Sequence, residues 1–540
     1  MTLLAVEDLG VTLGGRPLLA ALSFSVAPGE VLGLVGESGS GKSLSALALA
    51  GLLPDGARAT GSVRLEGEEL IGAAEPALCR VRGRGIGIVF QEPATALNPL
   101  LTIGAQVAET ARVHGGYSVA AARGRAAATL ERVGLPAAAV SAERYPHELS
   151  GGQRQRVAIA LAVALAPRLL IADEPTTALD VTTQAQILAL LAELAARERM
   201  ALILISHDLA VVAGVAARIA ILKDGRIVEQ GPTRAVLQAP AHAYTRALVR
   251  DFTPRPAAPR PASGAAPLLE ATGVVRDYRG PRRGFFGRAP VRRALDGVSV
   301  RVAPGERVGL VGESGSGKST LVRALLGLER PEAGTVRIAG ASLAGAAPGE
   351  ARRLRRLVQV VFQDPYGSLN PRHRVGRIVA EPLGLLAGRP GAGERERRVA
   401  AALAAVGLAA ADARRRPHEF SGGERQRIAI ARALVVEPQL VILDEAVSAL
   451  DASLRSQILE LLLGLSAARG LAYLFVSHDL GVVRAVTDRT LVMQSGRIVE
   501  EGPTAEVLER PRHPYTRQLV AASPSLERAL AAPGPRGTPS

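Results

Sequence analysis

Lysine is nearly absent from this chain of 540 residues: of its 65 basic residues only three are lysines, which leaves 62 arginines. Cysteine occurs once, as Cys79, so the composition excludes an internal disulfide and any metal or iron–sulfur site built only from cysteines of this chain. No apolar run reaches the roughly 18 to 20 residues of a membrane-spanning helix. These absences indicate a protein of the reducing cytoplasm. Any function across a membrane would require partner chains that span it.

Aromatic residues are also scarce, at 3% of the chain, although the formal net charge is +15. Such a charge can indicate nucleic acid or an anionic membrane surface as a partner. The basic residues are scattered, however, with local runs at residues 352–356 and 414–416. We expect these runs to be solvated helix faces, with nucleic acid or lipid contact as the alternative, and we expect no specific nucleic acid partner. The 48% of apolar residues suffice for two to four globular domains.

Two of the three lysines, Lys42 and Lys318, lie in the same eight-residue pattern, at residues 36–43 and 312–319. In this P-loop pattern, backbone N–H groups close around phosphate oxygens and the compact ammonium reaches the β- and γ-phosphates. One copy could be a glycine-rich turn that arose by chance. Two copies, each between an apolar run and a helix-like run, exclude a chance occurrence. The predicted nucleotide-binding residues are Gly36, Glu37, Ser38, Gly39, Ser40, Gly41, Lys42 and Ser43, and Gly312, Glu313, Ser314, Gly315, Ser316, Gly317, Lys318, Ser319 and Thr320.

The second half of the chain repeats the first. The numbers of paired positions differ by 276 at the lysines (318 minus 42) and by 271 at the acidic pairs (445 minus 174), so the length changes fall between motifs. The repeat predicts a first domain at residues 1–252 and a second at 268–520. Residues 253–267, with five prolines, are expected to form a semi-rigid linker, and residues 521–540 a disordered tail.

Each half contains an apolar run that ends in two acids, at residues 169–174 and 440–445. Such a run predicts a buried parallel strand that delivers its acids to the sheet edge beside the P-loop. The first acid, Asp173 or Asp444, is placed to hold Mg²⁺ through water, and the second, Glu174 or Glu445, to orient the attacking water. Taken alone, an Asp-Glu pair could equally be an exposed strand end.

A third motif, Ser-Gly-Gly, precedes an arginine-rich helix at residues 150–152 and 421–423. Alone it would be read as an ordinary helix N-cap. Together with the P-loops and acidic pairs, it makes nearly the whole chain resemble the ABC ATPase family. The resemblance implies two tandem α/β domains, each with a mostly parallel core sheet, an antiparallel β subdomain and a helical subdomain. It also implies a head-to-tail sandwich in which each Ser-Gly-Gly binds the γ-phosphate held by the other domain.

The remaining sequence motifs of the family are a glutamine after Val-Phe and a histidine after an apolar strand, and both occur in each half. The resemblance implies ATP and Mg²⁺ as cofactors. The implied catalytic residues are Glu174, His207, Glu445 and His478. The implied magnesium ligands are Ser43, Gln91, Asp173, Ser319, Gln363 and Asp444. Further implied nucleotide contacts are Gln91, Gln363, Ser150, Gly151, Gly152, Ser421, Gly422 and Gly423.

Two further sequence motifs indicate a subfamily. One follows each glutamine, at residues 92–99 and 364–371, and the other follows each domain, at residues 241–245 and 513–516. They resemble the ATP-binding subunits of peptide and nickel importers, here fused in one chain. The resemblance implies two integral-membrane permease subunits and, through them, an extracytoplasmic solute-binding protein as partners. It also implies a peripheral location on the cytoplasmic face of the membrane. Many unfused relatives carry a cysteine cluster in the extension; with a single cysteine, no iron–sulfur cluster is expected here.

One position differs between the halves. The family places an aromatic ring against adenine ahead of the P-loop, and Tyr278 fits this position in the second half. The corresponding residue of the first half is Leu13. The two nucleotide sites are therefore expected to differ in affinity.

Rival functions remain open at this point. Tandem ABC ATPases that act on the ribosome share these motifs, but they join their halves by a long charged helix rather than a short proline-rich segment. A DNA-repair ABC ATPase would require zinc-binding cysteines or long coiled-coil insertions. A fused sugar-import ATPase is the closest competitor, although such proteins often carry one degenerate site and lack the His-Pro-Tyr-Thr type of extension.

Overall fold

The computed structural model describes residues 2–177, 179–252, 265–280, 291–388, 390–448 and 450–531. The chain forms two compact units. The first comprises Met1–Thr253 together with Pro524–Ser540, and the second comprises Pro254–Ser523. Most of the predicted linker, residues 253–264, lies outside the described residues.

The first unit contains the following strands and helices. Its strands are β1 (Leu4–Leu13), β2 (Arg16–Val26), β3 (Val31–Val35), β4 (Ala57–Leu65), β5 (Glu68–Glu69), β6 (Ile86–Val89), β7 (Leu169–Asp173), β8 (Ala201–Ser206), β9 (Arg218–Lys223) and β10 (Arg226–Pro232). Its helices are α1 (Lys42–Leu49), α2 (Glu75–Val81), α3 (Pro93–Ala96), α4 (Ile103–Gly115), α5 (Val119–Arg132), α6 (Gly151–Val163), α7 (Val181–Glu198), α8 (Leu209–Val215), α9 (Thr233–Gln238) and α10 (Ala243–Phe252).

Two sheets organise this unit. One is antiparallel, with the strand order β2-β1-β4-β5. The other has the order β10-β9-β3-β8-β7-β6 and is parallel except for the pair formed by β9 and β10. Because β3, β6, β7 and β8 run in the same direction, the loops that follow them meet at one edge of the sheet.

The second unit repeats this architecture. Its strands are β11 (Leu269–Arg279), β12 (Val291–Val302), β13 (Arg307–Val311), β14 (Ala333–Ile338), β15 (Ala341–Ser342), β16 (Val358–Val361), β17 (Leu440–Asp444), β18 (Ala472–Ser477), β19 (Arg489–Gln494) and β20 (Arg497–Pro503). Its helices are α11 (Lys318–Leu325), α12 (Pro348–Leu357), α13 (Pro365–Ser368), α14 (Val375–Ala380), α15 (Ala392–Ala405), α16 (Gly422–Leu434), α17 (Ala452–Arg469), α18 (Leu480–Val486), α19 (Thr504–Glu509) and α20 (Pro514–Ala522).

Its strand orders are β12-β11-β14-β15 and β16-β17-β18-β13-β19-β20. The second sheet is again parallel apart from its last pair. In both units the strand that ends in the acidic pair is buried along its whole length, because packed layers cover both faces of the sheet. This burial explains why its sequence is a continuous apolar run rather than an alternating one. The predicted fold class is confirmed.

The helical parts of the two units differ. In the first unit α4 runs without interruption for 13 residues. Its counterpart α14 ends at Ala380, and the chain continues as a 3-10 turn, Glu381–Leu385. Pro382 explains the change, because proline lacks the N–H group that an α-helix needs and its ring clashes with the preceding turn.

The end of the chain differs from the predicted disordered tail. Helix α20 continues to Ala522, and a last helix, α21 (Leu526–Ala531), packs against α8 in the core of the first unit. Leu526 is 7% exposed, and Leu530, one turn further along, packs against the same core. This i, i+4 apolar pair gives the segment a helix face to bury, which composition alone did not indicate. Residues 532–540 lie outside the described residues.

No helix in the described ranges is both long and apolar enough to cross a membrane.

Candidate active site

A P-loop follows the central strand of each unit and leads directly into a helix. In the first unit the loop connects β3 to α1, and in the second it connects β13 to α11. Gly41 and Gly317, immediately before these helices, have φ angles of 103° and 112°, which side chains other than glycine rarely permit. The turn at these glycines starts a helix whose first N–H groups have no partner within the helix, as an anion-binding loop requires.

The two P-loop lysines occupy the same environment. Lys42 is 5% exposed, and its Nζ atom donates to the carbonyls of Gly36 at 2.7 Å and Glu37 at 2.8 Å. Lys318 is also 5% exposed and donates to Gly312 and Glu313 at the same two distances. The loop's own carbonyls therefore hold each ammonium over the loop.

The first acid of each pair lies buried at the end of its strand. Asp173 is 6% exposed and Asp444 8% exposed, and the Oδ1 atom of each has no hydrogen-bond partner among the described residues. Burial raises the pKa of Asp173, and the neighbouring Glu174 adds to this effect, while Ser43 and Lys42 oppose it. A buried carboxylate oxygen without a partner, beside a serine hydroxyl, is the donor set that Mg²⁺ prefers. The residues present therefore fit the metal that the family implies.

The second acid, Glu174, forms the centre of a polar cluster. The Gln91 side chain donates to Oε2 at 3.1 Å, and the Thr177 hydroxyl donates to the same atom at 2.8 Å. On the other side, Nδ1 of His207 lies 3.1 Å from Oε1. Burial on its own raises the pKa of Glu174, but His207, Thr177 and Lys42 outweigh it and hold the pKa below its ordinary value. The carboxylate is therefore ionised at neutral pH and can accept a hydrogen bond or a proton.

The second unit assembles the same cluster with one difference. Gln363 donates to Oε2 of Glu445 at 2.8 Å, and Nδ1 of His478 lies 3.5 Å from Oε1. Burial raises the pKa of Glu445, but His478 and Lys318 outweigh it and lower the pKa overall. Ser448 stands where the first unit has Thr177, and its hydroxyl donates to the backbone carbonyl of Glu445 at 2.9 Å instead of to the carboxylate.

The Ser-Gly-Gly motifs begin helices α6 and α16. Ser150 accepts the N–H of Gln153 at 3.3 Å, and the Gln153 side chain accepts the N–H of Ser150 at 3.0 Å. Ser421 and Glu424 form the same reciprocal cap, and the Ser421 hydroxyl also donates to the Glu424 carboxylate at 2.8 Å. Both serines are thus N-caps, the role that a structural reading of the motif predicts.

Tyr278 lies near the end of β11, and its hydroxyl donates to Oε2 of Glu329 at 2.5 Å. It pairs with Arg292 of the neighbouring strand, and a methyl group built on Gly315 of the P-loop would lie 3.6 Å from the Arg292 guanidinium. The Arg276 guanidinium lies 5.0 Å from the centre of the Tyr278 ring. Leu13, at the matching end of β1, is 38% exposed.

Sequence reasoning missed Thr177 and Arg292 in these sites. Thr177 follows the acidic pair by three residues, a spacing that places its hydroxyl back over the carboxylate and that could have been used. No sequence pattern distinguishes Arg292 from the other arginines of the chain.

The structure brings Lys42, Gln91, Asp173, Glu174 and His207 to one edge of the first unit's parallel sheet, as their strand-end positions predict.

The ABC transporter family matches residues 19–177 and 295–448. The oligopeptide/dipeptide transporter C-terminal region matches residues 228–273 and 499–539. The peptidoglycan transport ATP-binding protein YejF of Agrobacterium fabrum is 46% identical over 97% of both chains. The glutathione import ATP-binding protein GsiA of Escherichia coli K12 is 45% identical over 97% of this chain and 90% of its own.

Among solved structures, a dimeric ATP-binding cassette, MJ0796 bound to ADP and Pi, aligns to 44% of this chain and 98% of its own. Its sequence identity is 29% and its TM-score 0.39.

P-loops, acidic strand ends and matches in both halves define an ATPase of the ABC type, and the chain belongs to the ABC transporter family. Within that family it carries the oligopeptide/dipeptide C-terminal region after each of its two ATPase domains. The predicted family and enzyme class are thereby confirmed. The ribosome-acting and sugar-import alternatives receive no support from these comparisons.

Proposed function

We propose that this chain hydrolyses ATP to power the import of peptides or peptide-like solutes. The observation that carries the proposal is the oligopeptide/dipeptide region that follows both ATPase domains. The names of two relatives, a glutathione import and a peptidoglycan transport protein, point to the same solute class, since glutathione is a tripeptide and peptidoglycan contains peptides.

In the proposed mechanism, Lys42 binds the β- and γ-phosphates and His207 contacts the γ-phosphate. The Glu174 carboxylate orients a water molecule and accepts its proton as the water oxygen bonds to the γ-phosphorus and the bond to the bridging oxygen breaks. The lowered pKa of Glu174 keeps the carboxylate in the proton-accepting form at neutral pH. Lys318, His478 and Glu445 would perform these steps in the second site.

Magnesium would be held by Ser43, Gln91 and Asp173 in the first site and by Ser319, Gln363 and Asp444 in the second. When bound, the ion neutralises phosphate charge. Ser150–Gly152 and Ser421–Gly423 would complete the nucleotide sites through their exposed helix N-termini.

The proposed partners are two permease subunits and, through them, an extracytoplasmic solute-binding protein, with this chain peripheral at the cytoplasmic face of the membrane. The two units carry different residues on the turn that follows Asn98-Pro99 in the first unit and Asn370-Pro371 in the second. Asn98 accepts the N–H of Leu100 at 2.9 Å, and Asn370 accepts that of Arg372 at 3.0 Å. Leu100 is 82% exposed, so one turn presents an apolar tip and the other a cationic one.

The same difference extends into the neighbouring helices. In the second unit a cavity of about 920 Å³ is lined by four arginines and two glutamates. None of the four guanidiniums forms an ion pair or hydrogen bond with another described residue. Two of them, Arg377 and Arg414, occupy the positions of Ala105 and Glu143 in the first unit.

We therefore propose that the two permease subunits are not identical. The second unit would bind the permease whose cytoplasmic segment is the more acidic of the two. The four arginines are Arg374, Arg377, Arg395 and Arg414.

The import proposal is tested with the chain and its permeases in liposomes. ATP added on the side of this chain should drive uptake of a labelled peptide, and E174Q should lower that uptake at least about tenfold. Co-sedimentation with ribosomes at physiological salt, without association with any permease, would contradict the proposal.

The asymmetry is tested by giving the second unit the residues of the first, as R377A/R414E. In detergent, this variant should lose one permease subunit and keep the other, because only one docking surface has changed. R469A, an exposed arginine at the end of α17, is the control and should keep both. Retention of both subunits by R377A/R414E would rule out a role for these arginines.

A further inference from the structure

The extension that follows each unit's last strand is fixed to that strand through one carboxylate. In the first unit Glu229 accepts the N–H groups of Ala241 at 2.8 Å and His242 at 3.0 Å, with the fully buried Thr245 beside it. Burial alone raises the pKa of Glu229, but Thr245 and these amides hold the pKa below its ordinary value. His242 in turn accepts the N–H of Tyr244 at its Nδ1 atom, at 3.2 Å, and so starts helix α10.

This anchoring places Tyr244 against the P-loop. Its ring is largely buried, and its hydroxyl accepts the backbone N–H of Glu37, the second residue of the loop, at 3.2 Å. The ammonium of Lys223, the only lysine outside the P-loops, lies 4.9 Å from the centre of the ring. A residue 207 positions away from Glu37 therefore supplies a hydrogen bond to the phosphate-binding loop.

The N–H that Tyr244 holds belongs to the same peptide group as the Gly36 carbonyl, which accepts from Lys42 at 2.7 Å. A peptide group is planar, and in its trans form the N–H and the carbonyl point in opposite directions. The tyrosine on one side and the ammonium on the other therefore fix the orientation of a single plane. If the hydroxyl is removed, the plane can turn, and the lysine loses a fixed acceptor.

The second unit repeats the anchor with different neighbours. Glu500 accepts the N–H groups of Arg512 at 2.8 Å and His513 at 3.0 Å. His513 accepts the N–H of Tyr515 at its Nδ1 atom, again at 3.2 Å.

The contact with the loop is repeated as well. The Tyr515 hydroxyl accepts the N–H of Glu313 at 2.9 Å, and the carbonyl of the same peptide group, on Gly312, accepts from Lys318 at 2.7 Å. Two copies that differ in sequence around the motif thus preserve one geometry. A fortuitous surface contact would not be expected to recur in this way.

We propose that Tyr244 and Tyr515 are positioning residues for ATP binding, each acting through one peptide group to orient the P-loop lysine of its own unit. The inference rests on the ATPase activity of the family and not on the import proposal. It is tested without permeases, so the two can fail independently.

The test removes only the hydroxyls, by Y244F and Y515F, which keep the rings and their packing. Dissociation constants for a fluorescent ATP analogue are measured one site at a time, with K318A silencing the second site or K42A the first. Y244F should weaken the first site by about two- to tenfold, the loss expected for one neutral hydrogen bond, and leave the second unchanged. Y515F should have the converse effect.

A second measurement separates positioning from packing. In a chain that carries K318A and K42A together, so that the second site does not dominate the titration, Y244F should no longer change the weak residual affinity of the first site, because the tyrosine acts through the missing lysine. Y145F is the matched control: this tyrosine is 40% exposed and its loss of a hydroxyl should change neither site. Melting temperatures confirm that each variant folds, and Y515F provides an independent copy if Y244F does not.

Unchanged affinity in both Y244F and Y515F would overturn the inference. So would an equal loss of affinity with and without Lys42, which would mean that the hydroxyl acts on packing alone.

Discussion

The two proposed catalytic glutamates adopt backbone angles that are uncommon for residues other than glycine. Glu174 has φ 47° and Glu445 has φ 49°, both in the left-handed region. Such a conformation costs on the order of 1 to 2 kcal/mol and recurs at functional sites. Here it turns the chain at the strand end so that the carboxylate meets the glutamine and histidine.

Replacing either glutamate by glutamine keeps the size of the side chain and removes the proton acceptor. E174Q and E445Q should each lower the rate of phosphate release at least about tenfold, which corresponds to roughly 1.4 kcal/mol of barrier. Steady-state phosphate release by the purified chain measures the effect. A single change that left turnover untouched would show that its site is regulatory.

The buried aspartates are expected to lower the stability of the folded chain at neutral pH, although the proposed hydrolysis requires them. Burial raises the pKa of Asp173 above 3.8, so the ionised form is the less stable one in the folded chain. The carboxyl therefore stabilises the fold at low pH, and this contribution is lost as pH rises through the raised pKa. D173N should raise the melting temperature at pH 8 without magnesium or nucleotide, and should abolish magnesium-dependent hydrolysis at the first site.

The melting difference between D173N and the unmodified chain should shrink as the pH falls below 3.8, the ordinary pKa of an aspartate, because Asp173 is then protonated in both folded and unfolded states. An equal difference at all pH values would show that charge is not the cause.

Tyr278 and Leu13 predict unequal nucleotide sites. A tyrosine ring that stacks on adenine contributes roughly 0.5 to 1.5 kcal/mol beyond burial, whereas leucine offers only apolar area. The second site should bind ATP about three- to tenfold more tightly, which follows from that energy. Y278A should weaken it and L13A should change little, while L13Y should bring the two affinities together. Titration in single P-loop lysine variants separates the sites, and equal affinities would refute the assignment.

At this scale the sequence predicted which residues lie together at the sheet edge of each unit, but not how they contact one another. The lysines, acids, glutamines and histidines stand at strand ends or in a fixed loop pattern, so topology alone gathers them. The hydroxyl of Thr177 is indicated only by its spacing from the acidic pair, and that of Tyr244 only by a motif whose contacts the sequence does not reveal. Their roles depend on side-chain directions and, for Tyr244, on a contact across 207 positions.

Among the elements, helix α21 was the least predictable from sequence. Its segment was expected to be disordered because proline, glycine and serine dominate the region. Two leucines one turn apart, and a complementary surface on α8, decided otherwise. Composition reports the average character of a segment and not whether a partner surface exists.

The packing of α21 predicts a stability effect that is confined to the first unit. L526A should lower its free energy of unfolding by about 2 kcal/mol, the lower end for a buried leucine, because the helix lies at the chain end and can relax. R528A on the same helix is the control, since its side chain is exposed. Chemical denaturation followed by hydrogen exchange assigns the loss to one unit, and a loss in the second unit alone would contradict the packing.

For the whole molecule, the repeat made the architecture predictable. Motifs that recur in the same order at a nearly constant offset can arise only from two copies of one scaffold, and the family's sheet order follows from it. The return of the chain end to the first unit was not predictable, because it depends on contacts between segments that lie far apart in the sequence.

The two proposed nucleotide sites in one chain predict a defined stoichiometry. The double variant E174Q/E445Q should retain two ATP molecules per chain after gel filtration, because binding persists while hydrolysis is blocked at both sites. Nucleotide extraction and chromatography count them. One molecule per chain would show that only one site holds ATP stably.

The exchange of Thr177 for Ser448 also bears on the order of events in time. Among the described side chains, three hold the carboxylate of Glu174 in the first site and two hold that of Glu445 in the second. The histidine is also more distant in the second site, at 3.5 Å rather than 3.1 Å. A less restrained base spends more of its time turned away from the attacking water. We expect the two hydrolysis events in one cycle to follow one another rather than coincide, with the first unit hydrolysing its ATP before the second.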